Sequence, residues 1–446
     1  MNGAPLERSI GVVQATALVV GIIIGASIFV QPSEITRDVP TVGGILLVWL
    51  VAGLLSTAGA LICAELASAY PETGGVYVYL RRTIGRPLAF LWGWAMFWSM
   101  HSGIIAAIAV IFARYAGHFT ELDAAATQGV AVAAVFGVSA VNYLGVRHGS
   151  RLQAAFTIGK VAAVGLMIVL GFTLGSRLGA PLQTGDVAPA GGVSAFARAV
   201  AAGLFAFGGW HMVTYTAGET RDARRTIPRA LVIGMAIVIA CYIALNAVYL
   251  YVLPIERVVA STRVAADAAD AVLGRGGASF MAALVMFSTL GSLAGLVLAG
   301  PRVYYSMAED GLLFRWIGRS HPRYRTPHRA IALQAVWSSV LIVTGSYRAL
   351  FTRVVYTEWI FFALLAVGLL LVRRRSSYSP AYRMRGGALV PLLFAATALL
   401  IVANQLAAQP RDSIIGLGLV LIGLPVYALW ARRSDSAPPA SVEGVP

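Results

Sequence analysis

Long apolar stretches follow one another along nearly the whole chain, and they limit its possible folds more than any other feature. A helix needs about 20 apolar residues to cross a bilayer. Only 12% of the residues are charged, whereas soluble domains carry about 25%, and the stretches do not alternate as membrane strands do. We therefore expect an all-α membrane protein with twelve transmembrane helices, at 10–31, 41–69, 88–113, 126–145, 152–175, 194–218, 230–253, 279–307, 330–346, 353–372, 388–408 and 413–431.

The basic residues lie between these apolar stretches. In a soluble protein the net charge of +15 would suggest nucleic acid, but in loops between spans basic residues act as topology signals. We therefore expect contact with membrane lipids and not with nucleic acid. If residues 1–9 are cytoplasmic, most of the loop arginines fall on that side, which predicts that both termini are cytoplasmic. The polar, proline-rich residues 432–446 are expected to form a disordered cytoplasmic tail.

The sequence contains no motif for cofactor, nucleotide or metal chemistry. Cys63 and Cys241 both lie inside apolar stretches, and no spacing typical of a metal site occurs. There is no Walker-type phosphate loop and no glycine-rich fingerprint after a strand. The sequence therefore predicts no metal, no cofactor, no ATP-driven pump and no enzyme.

Glycines interrupt the middle of the first span and of the sixth. Residues 21–29 read Gly-Ile-Ile-Ile-Gly-Ala-Ser-Ile-Phe, and residues 205–210 read Phe-Ala-Phe-Gly-Gly-Trp. Interruptions at corresponding positions of two halves point to a transporter site, although glycine also permits close helix packing. Because five spans separate the two, they predict an inverted repeat of 10–178 and 194–372, followed by two further helices in 388–431.

Peptide groups released at such interruptions can bind an amino acid. The amides that open the second half of span one, near Ala26 to Ile28, favour a carboxylate, while carbonyls near Ile23, Ile24 and Phe205 accept from an ammonium group. The side chain would occupy the space left by small residues such as Gly208. The predicted substrate-binding residues are Ile23, Ile24, Gly25, Ala26, Ser27, Ile28, Phe205, Ala206, Gly208 and His211.

Lys160 is the only lysine among 34 basic residues, and it lies within the fifth span. A buried lysine can release its proton, whereas an arginine cannot, and a charge inside the membrane is a functional hypothesis by default. The alternative is that Lys160 snorkels to the cytoplasmic interface, because it lies only nine residues, roughly 14 Å of helix, beyond Arg151.

Three other polar residues of the spans are candidates for chemistry. Glu65, at the end of span two, is either linked to protons or a structural partner of nearby arginines. Glu358, in span ten, has either a proton-linked role or a packing hydrogen bond. His211 follows the interruption of span six and either lines the pocket and titrates or is a satisfied core histidine.

At these residues the chain resembles the amino acid–polyamine–organocation permeases, especially the bacterial relatives of the L-type amino-acid transporters. Residues 25–29 are similar to the Gly-Ser-Gly-Ile-Phe of span one in that family. Further similar segments are the end of span two with its loop (63–79), span six with its exit (205–230) and the end of span eight (300–311). The resemblance covers nearly all twelve spans.

The resemblance implies a LeuT-type core of ten helices in a 5+5 inverted repeat, with discontinuous helices one and six. It implies that the Lys160 ammonium stands in place of a sodium ion, with a carbonyl near Gly21 and hydroxyls such as Ser288 or Thr289 as partners. His211 stands where the family commonly has Asn or Asp. No cysteine lies between spans three and four, where animal relatives attach a heavy subunit, so no disulfide-linked partner is expected.

We therefore expect a secondary transporter of neutral L-amino acids in a bacterial inner membrane, working by exchange or by proton-coupled uptake. Neutral substrates are favoured because the segments of spans one and six contain no acidic residue. A proton-coupled carrier for a polyamine or another amine is the alternative, which acidic side chains converging on the cavity would favour. A non-transporting amino-acid sensor is a more distant possibility, since the sequence has no large soluble output domain.

Overall fold

The computed structural model describes residues 5–175, 192–261, 263–274 and 276–435, and these residues are almost entirely helical. One isolated β-bridge joins Ile10 to Thr220. Ten helical segments of the described residues are long and apolar enough to cross a membrane. The chain is therefore an all-helical protein with the features of a multi-pass membrane protein.

The α-helices are numbered here in chain order. They are α1 (Val12–Ile23), α2 (Ser27–Asp38), α3 (Val42–Ala69), α4 (Val76–Thr83), α5 (Arg86–Ala95), α6 (His101–Ala116), α7 (Ala124–Tyr143), α8 (Val146–Gly175), α9 (Gly192–Ala206), α10 (Ala223–Val252), α11 (Ile255–Ala260), α12 (Val264–Leu273), α13 (Gly277–Ala299), α14 (Pro301–Glu309), α15 (His328–Thr344), α16 (Tyr347–Val354), α17 (Thr357–Val372), α18 (Leu389–Ala408), α19 (Pro410–Leu421) and α20 (Gly423–Asp435).

Two of the twelve predicted spans fall short of the length that a bilayer requires. The first is divided, because α1 has 12 residues and ends at Ile23 before α2 begins. The ninth, α15, has 17 residues, as its short apolar stretch suggested. The other ten predicted spans correspond to the ten long helical segments.

Several loops contain helices that the hydropathy pattern did not predict. The short helices α4, α11 and α12 follow spans two and seven, and they escaped notice because each is too short to give an apolar stretch of its own. Residues 432–446 were predicted to be disordered, but α20 continues to Asp435 and so includes the first four of them. Parts of the predicted segments lie outside the described residues, namely 1–4, 176–178 and 436–446.

The helix α13 lies at the centre of the molecule. It contacts α1, α6 and α8, and 78% of its span is buried, against 22% for α7 and for the last span. Small residues such as Gly291, Ser292 and Gly295 lie among its buried positions, which lets neighbouring backbones approach closely. The interruption of α1 therefore packs against the most enclosed helix of the protein.

Both glycine-rich segments interrupt their helices. Span one loses helical structure between Ile23 and Ser27. In span six, α9 ends at Ala206 and the chain resumes as a 3₁₀ helix at Trp210–Glu219. Gly209 has a φ of +102°, and a Cβ there would lie 2.5 Å from the Ile22 side chain. Glycine is required at 209, therefore, both by the backbone and by the approach of the two interruptions.

Candidate functional site

A cavity of about 200 Å³ lies between the two interruptions. Its wall includes backbone and side chains from both glycine-rich segments, together with side chains of spans three and ten. Of the ten predicted substrate-binding residues, seven line it: Ile23, Gly25, Ala26, Ser27, Phe205, Ala206 and Gly208.

The other three predicted binding residues do not line the cavity. Ile28 is fully buried. The carbonyl of Ile24 faces the Lys160 ammonium at 2.9 Å, so it is turned away from the cavity. His211 lies behind the wall, among the rings of Trp92, Trp210, Tyr215 and Phe362.

The start of α2 offers hydrogen-bond donors to the cavity. Ala26 and Ser27 are the only residues of 21–29 that are partly exposed, and both line the cavity. The amides in the first turn of a helix have no acceptor within that helix, and the local dipole favours a negative charge. This arrangement suits a carboxylate, and the Ser27 hydroxyl adds a further donor.

The hydroxyl of Tyr242, on α10, lies between the two interruptions. It is 2.9 Å from the carbonyl oxygen of Ile23 and 3.2 Å from that of Ala206, and it donates to them. The ring packs against Trp49 and Phe207, which fixes its position. The sequence did not point to Tyr242, because a tyrosine in an apolar helix carries no signal of its partners.

We expect Tyr242→Phe to loosen the contact between the two interruptions. Losing a hydrogen bond of this kind costs roughly 0.5–1.5 kcal/mol, so the melting temperature and the uptake rate should both fall, the latter several-fold. Thermal unfolding in detergent and uptake by proteoliposomes measure the two effects. Tyr249→Phe is the matched control on the same helix, because the Tyr249 hydroxyl has no hydrogen-bond partner among the described residues. Equal behaviour of the two variants would contradict the assignment.

The Lys160 ammonium occupies a nest of oxygen atoms. Its side chain is 0% exposed, and four acceptors surround Nζ: the carbonyl oxygens of Gly21 and Ile24 at 2.9 Å each, that of Ser288 at 2.8 Å and Ser292 Oγ at 3.1 Å. The three protons of the ammonium are shared among these four oxygens. The side chain therefore joins α8 to the interruption of span one and to α13. It points into the protein and does not reach outward as a snorkelling side chain would.

The expected partners of Lys160 need two corrections. Ser288 contributes its carbonyl, and its hydroxyl donates to Ile24 at 3.1 Å. The Thr289 hydroxyl donates to its own helix, to Val285 at 2.7 Å, because one residue along a helix turns the side chain to another face. The hydroxyl partner is Ser292, one turn beyond Ser288 and thus on the same face.

The two acidic candidates lie in different surroundings. Glu65 is fully buried. Its carboxylate accepts hydrogen bonds from Arg373 at 2.8 and 2.5 Å and from the amide of Met384 at 2.9 Å, which indicates a structural role. Glu358 lines the cavity, and its Oε1 lies 3.4 Å from His211 Nε2. An acidic group thus reaches the cavity from span ten, which inspection of spans one and six did not reveal.

Span three contributes wall residues that the sequence did not predict. Between α5 and α6 the chain forms a π-helical turn at Met96–Met100, a feature found often at functional sites. Met96, Met100 and His101 line the cavity there, and His101 Nε2 lies 2.9 Å from the Leu296 carbonyl oxygen. A π turn carries no clear sequence signal.

A buried ion pair lies where the 3₁₀ helix of span six ends. Glu219 and Arg302 are both 0% exposed, and the guanidinium donates to the two carboxylate oxygens at 2.7 and 2.9 Å. Arg302 also donates to the carbonyl of Leu298. The carbonyl of Glu219 accepts from the amides of Ser9 and Ile10 at 3.0 Å. The pair thus ties the N-terminal segment, span six and span eight together.

Comparison with known proteins gives matches that extend over almost the whole chain. A family model described as "Amino acid permease" matches residues 10–423. The serine/threonine exchanger SteT of Bacillus subtilis is 27% identical over 435 residues, covering 97% of this chain and 98% of that protein. The human b(0,+)-type amino acid transporter 1 is 29% identical, covering 96% and 88%. The human large neutral amino acids transporter small subunit 2 is 28% identical, covering 97% and 82%.

Proposed function

The chain belongs to the amino acid permease family, whose members are membrane transporters and not enzymes, and we propose that it carries neutral L-amino acids across a bacterial inner membrane by alternating access. The observation that carries this proposal is the cavity between two interrupted helices. The amides at the start of α2, near Ala26 and Ser27, suit the carboxylate of an amino acid, and the backbone of the second interruption, at Ala206 and Gly208, forms another part of the wall.

We also propose the architecture of twelve spans in which 10–178 and 194–372 are inverted repeats and 388–431 adds two helices. In support, the first span of each repeat is interrupted at its glycines, and the two interruptions meet at Ile22 and Gly209. We propose that both termini are cytoplasmic, in keeping with the distribution of arginine.

In this proposal Lys160 replaces an inorganic cation at the interruption of span one. Its four oxygen partners form the kind of coordination shell that a sodium ion takes, and a covalently held ammonium needs no ion gradient to fill it. Exchange is favoured over proton coupling by the relative described as a serine/threonine exchanger. Glu358 is the acidic group positioned to couple a proton, since Glu65 is occupied by Arg373.

A polyamine carrier is less well supported by the cavity. A polyamine carries several cationic nitrogens, and among the described residues Glu358 is the one acidic side chain of the wall.

The loop between α6 and α7 contains no cysteine, so we propose that the protein works without a disulfide-linked subunit.

The proposal is tested by uptake of radiolabelled amino acids into proteoliposomes that contain the purified protein. We expect saturable uptake of one or more neutral L-amino acids that rises when unlabelled amino acid is present inside. Uptake that responds to a pH gradient instead would indicate proton coupling. If no amino acid shows saturable uptake under either condition, the proposed function is wrong.

A further inference from the structure

The Glu358 carboxyl group has no adequate hydrogen-bond partner among the described residues. Its side chain is 20% exposed, toward the cavity. Among the described residues the imidazole of His211 is the one basic group within 4.0 Å, and its Nε2 lies 3.4 Å from Oε1. That distance exceeds the range of a hydrogen bond from either a ring nitrogen or a protonated carboxyl. Neither form of Glu358 is therefore satisfied by the protein alone.

The surroundings of Glu358 supply no compensating charge. Lys160 already has four oxygen partners at the interruption of span one, and Arg353 of the neighbouring helix α16 pairs with Asp412 at 2.8 Å. The adjacent wall is apolar, with Phe351, Val355 and Trp359 among its residues. A charged carboxylate in such surroundings is costly unless a partner neutralises it.

His211 lies on the protein side of the Glu358 carboxyl group. The imidazole is enclosed by four aromatic rings with centroids 5.0 to 5.9 Å away, and neither of its ring nitrogens has a hydrogen-bond partner among the described residues. The His211 ring, held by its aromatic neighbours, thus occupies the protein side of the Glu358 carboxyl group. The other side of the carboxyl group faces the cavity. The missing partner therefore has to come from the cavity side, as water or as a bound molecule.

We propose that Glu358, backed by His211, receives the side chain of the substrate and selects side chains that end in a cationic nitrogen, an amine or a guanidinium. Such a group supplies both the charge and the donors that the carboxylate lacks, and the partly exposed ring of Trp359 on the same wall can contact a cation. This inference rests on the proposed function and extends its substrate class from neutral to basic amino acids.

The test compares ligands that differ in side-chain charge. Binding of L-arginine, L-citrulline and L-leucine to the purified protein is measured by thermal stabilisation and by isothermal titration calorimetry. Citrulline matches arginine in shape but has no charge. We expect the wild-type protein to bind arginine at least about tenfold more tightly than citrulline, because a hydrogen bond between charged groups is worth about that much or more.

In Glu358→Gln the preference for arginine over citrulline should fall by about 10- to 100-fold, because the amide keeps the shape of the carboxylate but carries no charge. Glu121→Gln is the matched control, because it removes one negative charge from the exposed loop between α6 and α7 and should leave all three affinities unchanged.

Each other outcome overturns the inference in a distinct way. If the wild type binds leucine but does not prefer arginine to citrulline, the side-chain assignment is wrong while the proposed function stands. If Glu358→Gln weakens all three ligands equally, Glu358 supports the structure and does not select. If no amino acid binds the wild type, the proposed function itself fails and the inference fails with it.

Discussion

Lys160→Met is expected to reduce amino-acid transport by about 100-fold or more while the protein still folds into a monodisperse species. The methionine side chain keeps nearly the length of lysine and its apolar stem but has no donor for the four oxygen atoms of Gly21, Ile24, Ser288 and Ser292 that surround Nζ. Each hydrogen bond to a charged group is worth about 1.5–3 kcal/mol, so losing even one or two of them releases the interruption of span one from α13.

The matched control for this variant is Arg151→Met, which removes a positive charge from an exposed position of the same helix α8. It should leave transport within about twofold of the wild type, because surface charges contribute little. Uptake into proteoliposomes, normalised to reconstituted protein, measures both. Wild-type uptake in Lys160→Met would show that the ammonium is dispensable for the transport cycle.

Glu219→Gln is expected to lower the free energy of unfolding by about 3–5 kcal/mol, because removing one partner of a buried ion pair leaves the other charge uncompensated. The amide still occupies the space of the carboxylate, so packing changes little and the effect reports on charge. Arg302 would then lie fully buried without its anion. Denaturant or thermal unfolding of the detergent-solubilised protein provides the measurement.

Glu34→Gln serves as the control for Glu219→Gln. Glu34 pairs with Arg37 at 2.9 Å, but both side chains are about half exposed, and such surface pairs contribute roughly 0–1 kcal/mol. A double variant, Glu219→Leu with Arg302→Met, should recover much of the lost stability, because apolar pairs often replace buried ion pairs without penalty. If Glu219→Gln is no less stable than Glu34→Gln, the buried pair does not carry the stability assigned to it.

Apolar length and glycine position made much of the fold predictable. Ten spans followed from hydropathy, and Gly25 and Gly208 marked the interruptions, because lipid forces unsatisfied backbone to lie beside a cavity. The periodicity of an apolar helix does not say which face meets its neighbours, however. The sequence therefore could not show that Ser292, and not Thr289, would meet Lys160.

The sequence predicted cavity residues only where they belong to a single local segment of the chain. Ala26 and Ser27 follow from the local rule for helix starts. Glu358 comes from a helix distant in sequence, and the π turn before His101 depends on packing that no local pattern encodes. Contacts of that kind are set by tertiary structure, which is why the sequence named Glu358 as a candidate but did not place it at the cavity.

The burial of the only lysine makes the chain a natural reporter of its own opening. Reagents that modify amines should leave the side chains of the folded protein unlabelled, since the one target is 0% exposed, and a protease specific for lysine should find no site until the fold is lost. Any labelling of residue 160 during turnover would mark the moment at which water reaches the interruption of span one.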